Sequence, residues 1–221
     1  HPHGKTPSYL EMRCVTTMKI KSKKELTKLI SFISMGDGGL YRNKKNGKYI
    51  GNAKFIMNMK EENRDYIEFC SSILENITST TIKNRIDYNI DGYNRKSQLR
   101  LESSNHPFFT TIHSRLYIDN YKGLDLHTLK LMDAQCLAIL FMCDGCSTYK
   151  KGYLDVSLNL KRLSYGDQFL LKKTIKDKFD LEFNINKQNQ YYYLRLRTKD
   201  INKFMDIVKD YILDSFKYKI Q

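Results

Sequence analysis

Two aspartates stand where an apolar chain has no evident use for them. "ISFISMGDGG" (30–39) and "LAILFMCDGC" (137–146) are apolar, helix-like runs that each close on Asp-Gly, at Asp37 and Asp144. A carboxylate at the end of a core-forming run loses hydration unless something compensates its charge. One such Asp-Gly is a common helix-ending turn. A matched pair after two matched runs asks for another explanation. Other candidate chemistry is thinner. Cys143 and Cys146 form a C-x-x-C, but no second cysteine or histidine pair follows at zinc-finger spacing, so half of a tetrahedral ligand set is missing. His1, His3, His106, His113 and His127 are scattered and read as surface or hydrogen-bonded histidines.

The elements around the two aspartates repeat. Each run is followed by a basic hairpin and a strand of one design, "FIMNMK" (55–60) and "VSLNLK" (156–161), the first hairpin, "YRNKKNGKY", being the longer. Ser22 to Glu25 has the form of a capping box opening the first run. Further amphipathic segments fall near 61–75, 107–117, 124–132, 164–178 and 199–213. Each half then reads helix, hairpin, helix, hairpin, helix, with 121–133 as the joint. The chain divides into an N-terminal leader over 1–19, a first repeat over 20–123 and a second over 124–221.

Period-2 alternation separates a buried from a displayed face in every strand. Ala53, Phe55, Met57 and Met59 oppose Asn52, Lys54, Asn58 and Lys60, with Ile56 breaking the polar row. Leu154, Val156, Leu158 and Leu160 oppose Asp155, Ser157, Asn159 and Lys161. Later strands set Ile86, Tyr88 and Ile90 against Arg85, Asp87 and Asn89, and Leu99 and Leu101 against Gln98 and Arg100. In the second half, Phe183 and Ile185 oppose Glu182, Asn184 and Asn186, and Tyr192, Leu194 and Leu196 oppose Tyr193, Arg195 and Arg197.

Antiparallel sheets commonly wet one side. Here the polar face recurs in both halves and carries the side chains whose geometry suits base edges and phosphates. Against 24 acidic residues stand 38 Lys and Arg, a formal net charge of +14 that points to a polyanionic partner. No apolar stretch reaches the roughly 18 residues that span a bilayer, and the start has no apolar signal core, so the expectation is a soluble intracellular protein that binds double-stranded DNA. The odd, mostly apolar-flanked cysteines fit a reducing compartment. The DNA contacts assigned to the polar face and hairpin tips are Arg42, Lys44, Lys45, Lys48, Asn52, Lys54, Arg85, Asp87, Asn89, Arg95, Gln98 and Arg100 in the first half. In the second half they are Lys150, Lys151, Asp155, Ser157, Lys161, Glu182, Asn184, Asn186, Lys187, Tyr193, Arg195 and Arg197.

The paired runs resemble the name-giving motif of the LAGLIDADG homing endonucleases, in the single-chain form with two pseudo-symmetric halves. Residues 104–123 are similar to the segment joining the halves in one branch of that family, and 210–221 to its final stretch. The usual small third residue of the motif is Phe32 in one copy and Ile139 in the other, so close helix contact falls to Ser31, Ala138, Gly36 and Cys143. The resemblance implies an α+β fold of two pseudo-symmetric αββαββα repeats packed through paired helices, with antiparallel sheets forming a DNA-binding saddle. It implies that Asp37 and Asp144 meet and share Mg²⁺, with Mn²⁺ as a substitute, helped by the backbone carbonyls of Gly36 and Cys143. Two close carboxylates need such a cation between them, and oxygen-liking Mg²⁺ suits them. By position in matching segments, Lys122 and Lys219 become the basic catalytic residues, and Asn58 and Asn159 the water-ordering ones. The implied activity is a double-strand cut with 3′ overhangs in a long asymmetric target, made by a monomer, with its own intron RNA as a further partner. The alternative is a non-cleaving nucleic-acid-binding protein on the same fold, an intron maturase or a DNA-binding regulator.

Overall fold

The computed structural model describes residues 19–20, 22–85, 98–118, 121–150 and 152–220, the side chains of Arg85 and Lys150 excepted. The first half runs α1 (Lys23–Met35), β1 (Gly38–Lys45), β2 (Lys48–Lys60), α2 (Arg64–Leu74), β3 (Thr80–Arg85), β4 (Gln98–Ser103) and α3 (Pro107–Leu116). A small hairpin, β5 (Tyr117–Ile118) with β6 (Tyr121–Lys122), and a short α4 (Leu126–Lys130) lead to the second half. That half repeats the order with α5 (Ala134–Asp144), β7 (Gly145–Lys150), β8 (Tyr153–Leu158), α6 (Tyr165–Phe179), β9 (Phe183–Gln188), β10 (Tyr191–Leu196) and α7 (Ile201–Val208). The sheets are antiparallel with orders β1-β2-β4-β3 and β7-β8-β10-β9, so the repeat read in the sequence is a repeat of topology.

Helices α1 and α5 form the seam. From Cys136 to Met142 every side chain of α5 is buried, which explains why this helix is apolar all round rather than striped. On α1, Leu29, Ile30, Phe32 and Ile33 are buried, and so are the small Ser31 and Ser34. The two hydroxyls find no hydrogen-bond partner among the described residues. Their use here is small volume, since it lets helix backbones approach closely. The approach is tightest at the floor, where a Cβ on Gly36 would lie 2.5 Å from Cys143 Sγ. At the other end of the seam, Asp133 caps α5 by accepting from Cys136 N at 3.0 Å and pairs with the nearly buried Lys28 of α1. Ser22 caps α1 as its sequence suggests, accepting from Glu25 N at 3.4 Å, while the Glu25 carboxylate pairs with Lys28 at 2.6 Å.

The alternation read from the strands holds where the chain is described. Ala53, Phe55, Met57 and Met59 are buried on β2, Leu99 and Leu101 on β4, Val156 and Leu158 on β8, and Leu194 and Leu196 on β10. The residues 86–90 of the third alternation lie outside the described residues. The β1–β2 hairpin turns through Asn46 (φ 50°) and Gly47 (φ 77°), two left-handed residues in the Asn-Gly order that a tight twisted hairpin favours. One strand departs from its sequence pattern: β8 ends at Leu158, so Asn159 and Lys161 lie beyond it. The physical reason is weaker pairing on its inner edge. Strand β2 pairs with β4 from Ile56–Glu102 to Lys60–Gln98, whereas β8 pairs with β10 at Leu158–Leu194 and Ser157–Arg195. Alternating apolar side chains alone do not prolong a strand past its last partner.

Candidate active site

Each seam helix runs down to one aspartate. Asp144 is the last residue of α5, and Asp37 sits between α1 and β1. Both line one cavity of about 240 Å³, together with Gly36, Lys122, Asn159, Lys161 and Arg162. A wider groove of about 690 Å³ adjoins it, sharing Asp37, Lys122, Lys161 and Arg162 and adding Arg42, Lys44 and Asn58. Burial raises the pKa of both carboxyl groups, and the negative charge of Asp37 pushes Asp144 further, to about 6. The opposing influences on Asp37 are a hydrogen bond with the Cys143 thiol and the charges of Lys219, Lys122 and Arg162. Two partly buried acids thus face each other under a rim of cations.

The two lysines arrive by different routes. Lys122 ends the β5–β6 hairpin, where it pairs with Tyr117. Tyr117 is fixed by stacking on His113, with ring centres 4.7 Å apart, and by accepting from Leu40 N at 3.0 Å. Lys122 Nζ donates to the carbonyls of Gly36 (3.1 Å) and Gly38 (2.9 Å), and burial, then the charge of Arg162, lowers its pKa to about 8. Lys219 comes from the C-terminal 3₁₀ turn, Asp214–Lys219. That turn crosses to the first half: Ser215 N donates to Asp65 at 3.0 Å and Phe216 packs edge-on against Tyr66. Lys219 is only 7% exposed, and its Nζ donates to the carbonyls of Phe141 (3.1 Å), Met142 (2.7 Å) and Gly145 (2.8 Å). Burial holds its pKa below the usual lysine range.

The six residues assigned to catalysis from the sequence therefore gather at one floor. Asp37, Asp144, Lys122 and Asn159 share the smaller cavity. Asn58, exposed on β2, joins Asp37 and Lys122 in the groove. Asn159 is not on a strand; its N–H donates to the Asp144 carbonyl at 2.7 Å and its side-chain amide to Ser157 at 3.2 Å. Lys219 lies beneath, its ammonium on main-chain carbonyls. Arg162 was absent from the sequence reading. It sits three residues after Asn159 in the turn before α6 and lines both cavities. Its signal was adjacency to Lys161 at a strand end, which no periodic pattern marks.

The oxygen-rich donor set fits a hard divalent ion: two carboxylates with raised pKa values and adjacent main-chain carbonyls. No cluster of three or more His, Cys, Asp or Glu suited to a metal occurs among the described residues, so water and phosphate oxygens would complete the shell. The Gly36 carbonyl, expected at the metal, here accepts from Lys122. The Cys143 thiol is buried, within 2.9 Å of Tyr66 Oη, and burial pushes its pKa far up, which makes it a poor zinc ligand. Cys70, Cys136, Cys143 and Cys146 are all free thiols.

On the sheets, Lys44, Lys45, Lys48, Asn52, Lys161, Asn184, Lys187 and Arg197 are exposed. Arg42, Lys54, Gln98, Arg100, Asp155, Ser157, Glu182, Asn186, Tyr193 and Arg195 are half-buried. The acids among them orient cations: Arg195 pairs with Asp155 at 2.7 Å, and Arg197 with Glu182. Glu102, which the sequence reading left out, holds both Lys54 and Arg100. Asp87, Asn89, Arg95 and Lys151 lie outside the described residues, as do the side chains of Arg85 and Lys150. No helix among the described residues is long and apolar enough to cross a membrane.

A model of the LAGLIDADG DNA endonuclease family matches residues 33–204. An uncharacterized protein of Methanocaldococcus jannaschii is 28% identical over 122 residues, 55% of this chain and 47% of that protein. The chain therefore spans about half the length of the curated relative it matches. Among solved structures, the homing endonuclease I-WcaI bound to its DNA recognition sequence superposes with a TM-score of 0.73 at 20% identity, covering 92% of this chain and 88% of that one. A variant of I-DmoI in complex with its target DNA and in the presence of manganese gives 0.52 at 13% identity, covering 85% and 94%. Full-length DUF199/WhiA from Thermatoga maritima gives 0.50 at 13% identity, covering 92% and 61%. At such identities these likenesses show the shared fold and leave cleavage to be argued from the site.

Proposed function

This chain belongs to the LAGLIDADG DNA endonuclease family, and from that premise we propose that it is a site-specific endonuclease cutting both strands of a long asymmetric DNA target with 3′ overhangs. The observation that carries the reading is the convergence of Asp37 and Asp144 on one cavity rimmed by Lys122, Lys161 and Arg162. A pure binder has no use for paired, partly buried acids facing a polyanion. In hydrolysis the oxygen of water adds to phosphorus and the P–O3′ bond breaks; the water loses a proton to solvent and the leaving oxygen gains one, giving a 5′-phosphate and a 3′-hydroxyl. A divalent ion held by the two aspartates, Mg²⁺ with Mn²⁺ as substitute, supplies activation of that water and charge stabilisation at the leaving oxygen. Lys122, with Arg162 beside it, offsets charge gathering on the phosphate. Asn58 and Asn159 order water at the cavity mouth. Lys219 fixes the carbonyls around Asp144 and adds positive potential at both acids. The exposed basic hairpins and the acid-buttressed arginines bind the duplex, with the chain acting as a monomer.

The test is to incubate the protein and Mg²⁺ with a library of duplexes and to sequence the cut ends. Cuts at one long recurring sequence, dependent on Asp37, Asp144, Lys122 and added metal alike, are the expected result. Retained duplexes without any cut ends would overturn the nuclease reading in favour of a non-cleaving binder.

A further inference from the structure

The two centres at the floor are built unequally, and the difference is one of charge and access. Following Asn159 the chain presents Lys161 and Arg162, both exposed and both lining the cavity that holds Asp37 and Lys122. At the equivalent place after Asn58 it presents Lys60 and Glu61. There Lys60 pairs with Glu62 at 3.3 Å, and Glu61 pairs with Arg64. One flank therefore carries two accessible cations, and the other a cation and an acid tied to their neighbours. The lysines differ in the same direction. Lys122 opens onto the cavity, whereas Lys219 is enclosed with its ammonium on three carbonyls. A phosphate entering beside Lys122 and Arg162 meets accessible positive charge. A phosphate entering on the Lys219 side meets a lysine already committed to the backbone.

Resting on the endonuclease reading above, we infer that the two strands are broken in a fixed order: the strand whose phosphate enters the Lys122–Arg162 cavity is hydrolysed first, and Arg162 contacts that phosphate and sets its lead. The bond broken is the same at both centres, P–O3′ by water, and only the stabilisation of phosphate charge differs. A nicked duplex accumulates before the double-strand product.

The test uses the duplex recovered from the library, labelled with a different fluorophore on each strand, and follows both breaks at saturating protein and Mg²⁺. One strand is expected to lead by about tenfold, which corresponds to ~1.4 kcal/mol of barrier. Arg162→Ala should slow that strand to the pace of the other, with duplex affinity changed less than the rate, and Arg162→Lys should restore part of the lead. Equal rates in the unaltered protein, or an Arg162→Ala variant that slows both strands alike, would overturn the order. Failure of either strand to break would count against the endonuclease reading itself, on which the order depends.

Discussion

Lys122 reaches the floor on a two-stranded hairpin and Lys219 on a terminal 3₁₀ turn, and the two deliveries have different consequences. The hairpin belongs to the end of the first half and leaves its lysine at a cavity wall, where its partners are the carbonyls of Gly36 and Gly38 beside the aspartate of that same half. The terminal turn leaves the second half, anchors on Asp65 and Tyr66 of the first, and returns Lys219 to the carbonyls around Asp144. One lysine is placed for chemistry with modest structural duty. The other also closes the seam. Duplicated topology has kept the acids alike while the cations that serve them have diverged.

The acids are where the halves should behave alike. Asp37→Asn and Asp144→Asn are each expected to lower double-strand cleavage by about a thousandfold or more, since several kcal/mol of metal-based stabilisation would be lost. Duplex affinity should stay level or tighten, because a negative charge leaves a surface facing phosphates. Cleavage rates and equilibrium binding measured on the same variants check this. Equal losses of binding and cutting would remove the reason for treating the two positions as one metal site.

The lysines should separate the halves. Lys219→Met leaves three enclosed carbonyls without their donor, so unfolding in urea is expected to show a loss of ~2–4 kcal/mol beside the loss of activity. Lys122→Met leaves two carbonyls at an open cavity that water can enter, and its cost should stay below about 1 kcal/mol while cleavage falls. Similar stabilities for the two variants would erase the contrast between a closing and an exposed lysine.

The two aspartates offer a smaller, pH-dependent contrast. Asp144 has a folded pKa of about 6 against a usual 3.8, so between those values the native state binds the extra proton. Without metal, stability should therefore be highest toward the acid end of that window and fall as pH rises toward neutrality. Melting in chelator at pH 5 and pH 7.5 measures the fall. Asp144→Asn should flatten it, and added Mg²⁺ should recover stability at pH 7.5 far more than at pH 5. A metal-free protein that gains stability across this window would place the source of its acid response elsewhere.

How much of this was written in the chain depends on the range of the interactions. The seam helices and strand faces were legible because periodic burial is a local record, as the buried row Ala53, Phe55, Met57 and Met59 shows. The repeat was legible because both halves use the same helix-to-Asp-Gly ending. Lys122 and Lys219 came from family resemblance, because nothing in their spacing reveals that a hairpin and a tail converge on Asp37 and Asp144. The end of β8 before Asn159 depended on how far β10 runs beside it, which is a tertiary fact. Arg162 sat in a turn without periodicity, and the Lys28–Asp133 pair joins residues that only the folded seam makes neighbours.

The slightest contrast concerns the hairpins that hold the duplex. The first-half hairpin is built from strands of 8 and 13 residues and ends in Lys44, Lys45 and Lys48, while β9 and β10, at 6 residues each, carry Lys187 beside Tyr192. Removing one lysine–phosphate interaction should reduce the slope of log affinity against log salt by about 0.9. Lys45→Ala and Lys48→Ala are thus each expected to flatten the slope by about one and to weaken binding evenly across sequences. Lys187→Ala should do less, since its ammonium already lies 5.8 Å from the Tyr192 ring centre and gives up that attraction to reach a phosphate. Affinity measured from low to moderate salt for the three variants ranks them. If Lys187 changed the slope as much as Lys45 and Lys48 together, the longer hairpin would lose its claim to the larger share of the DNA backbone, and the unequal sheets would have to divide the duplex by base reading instead.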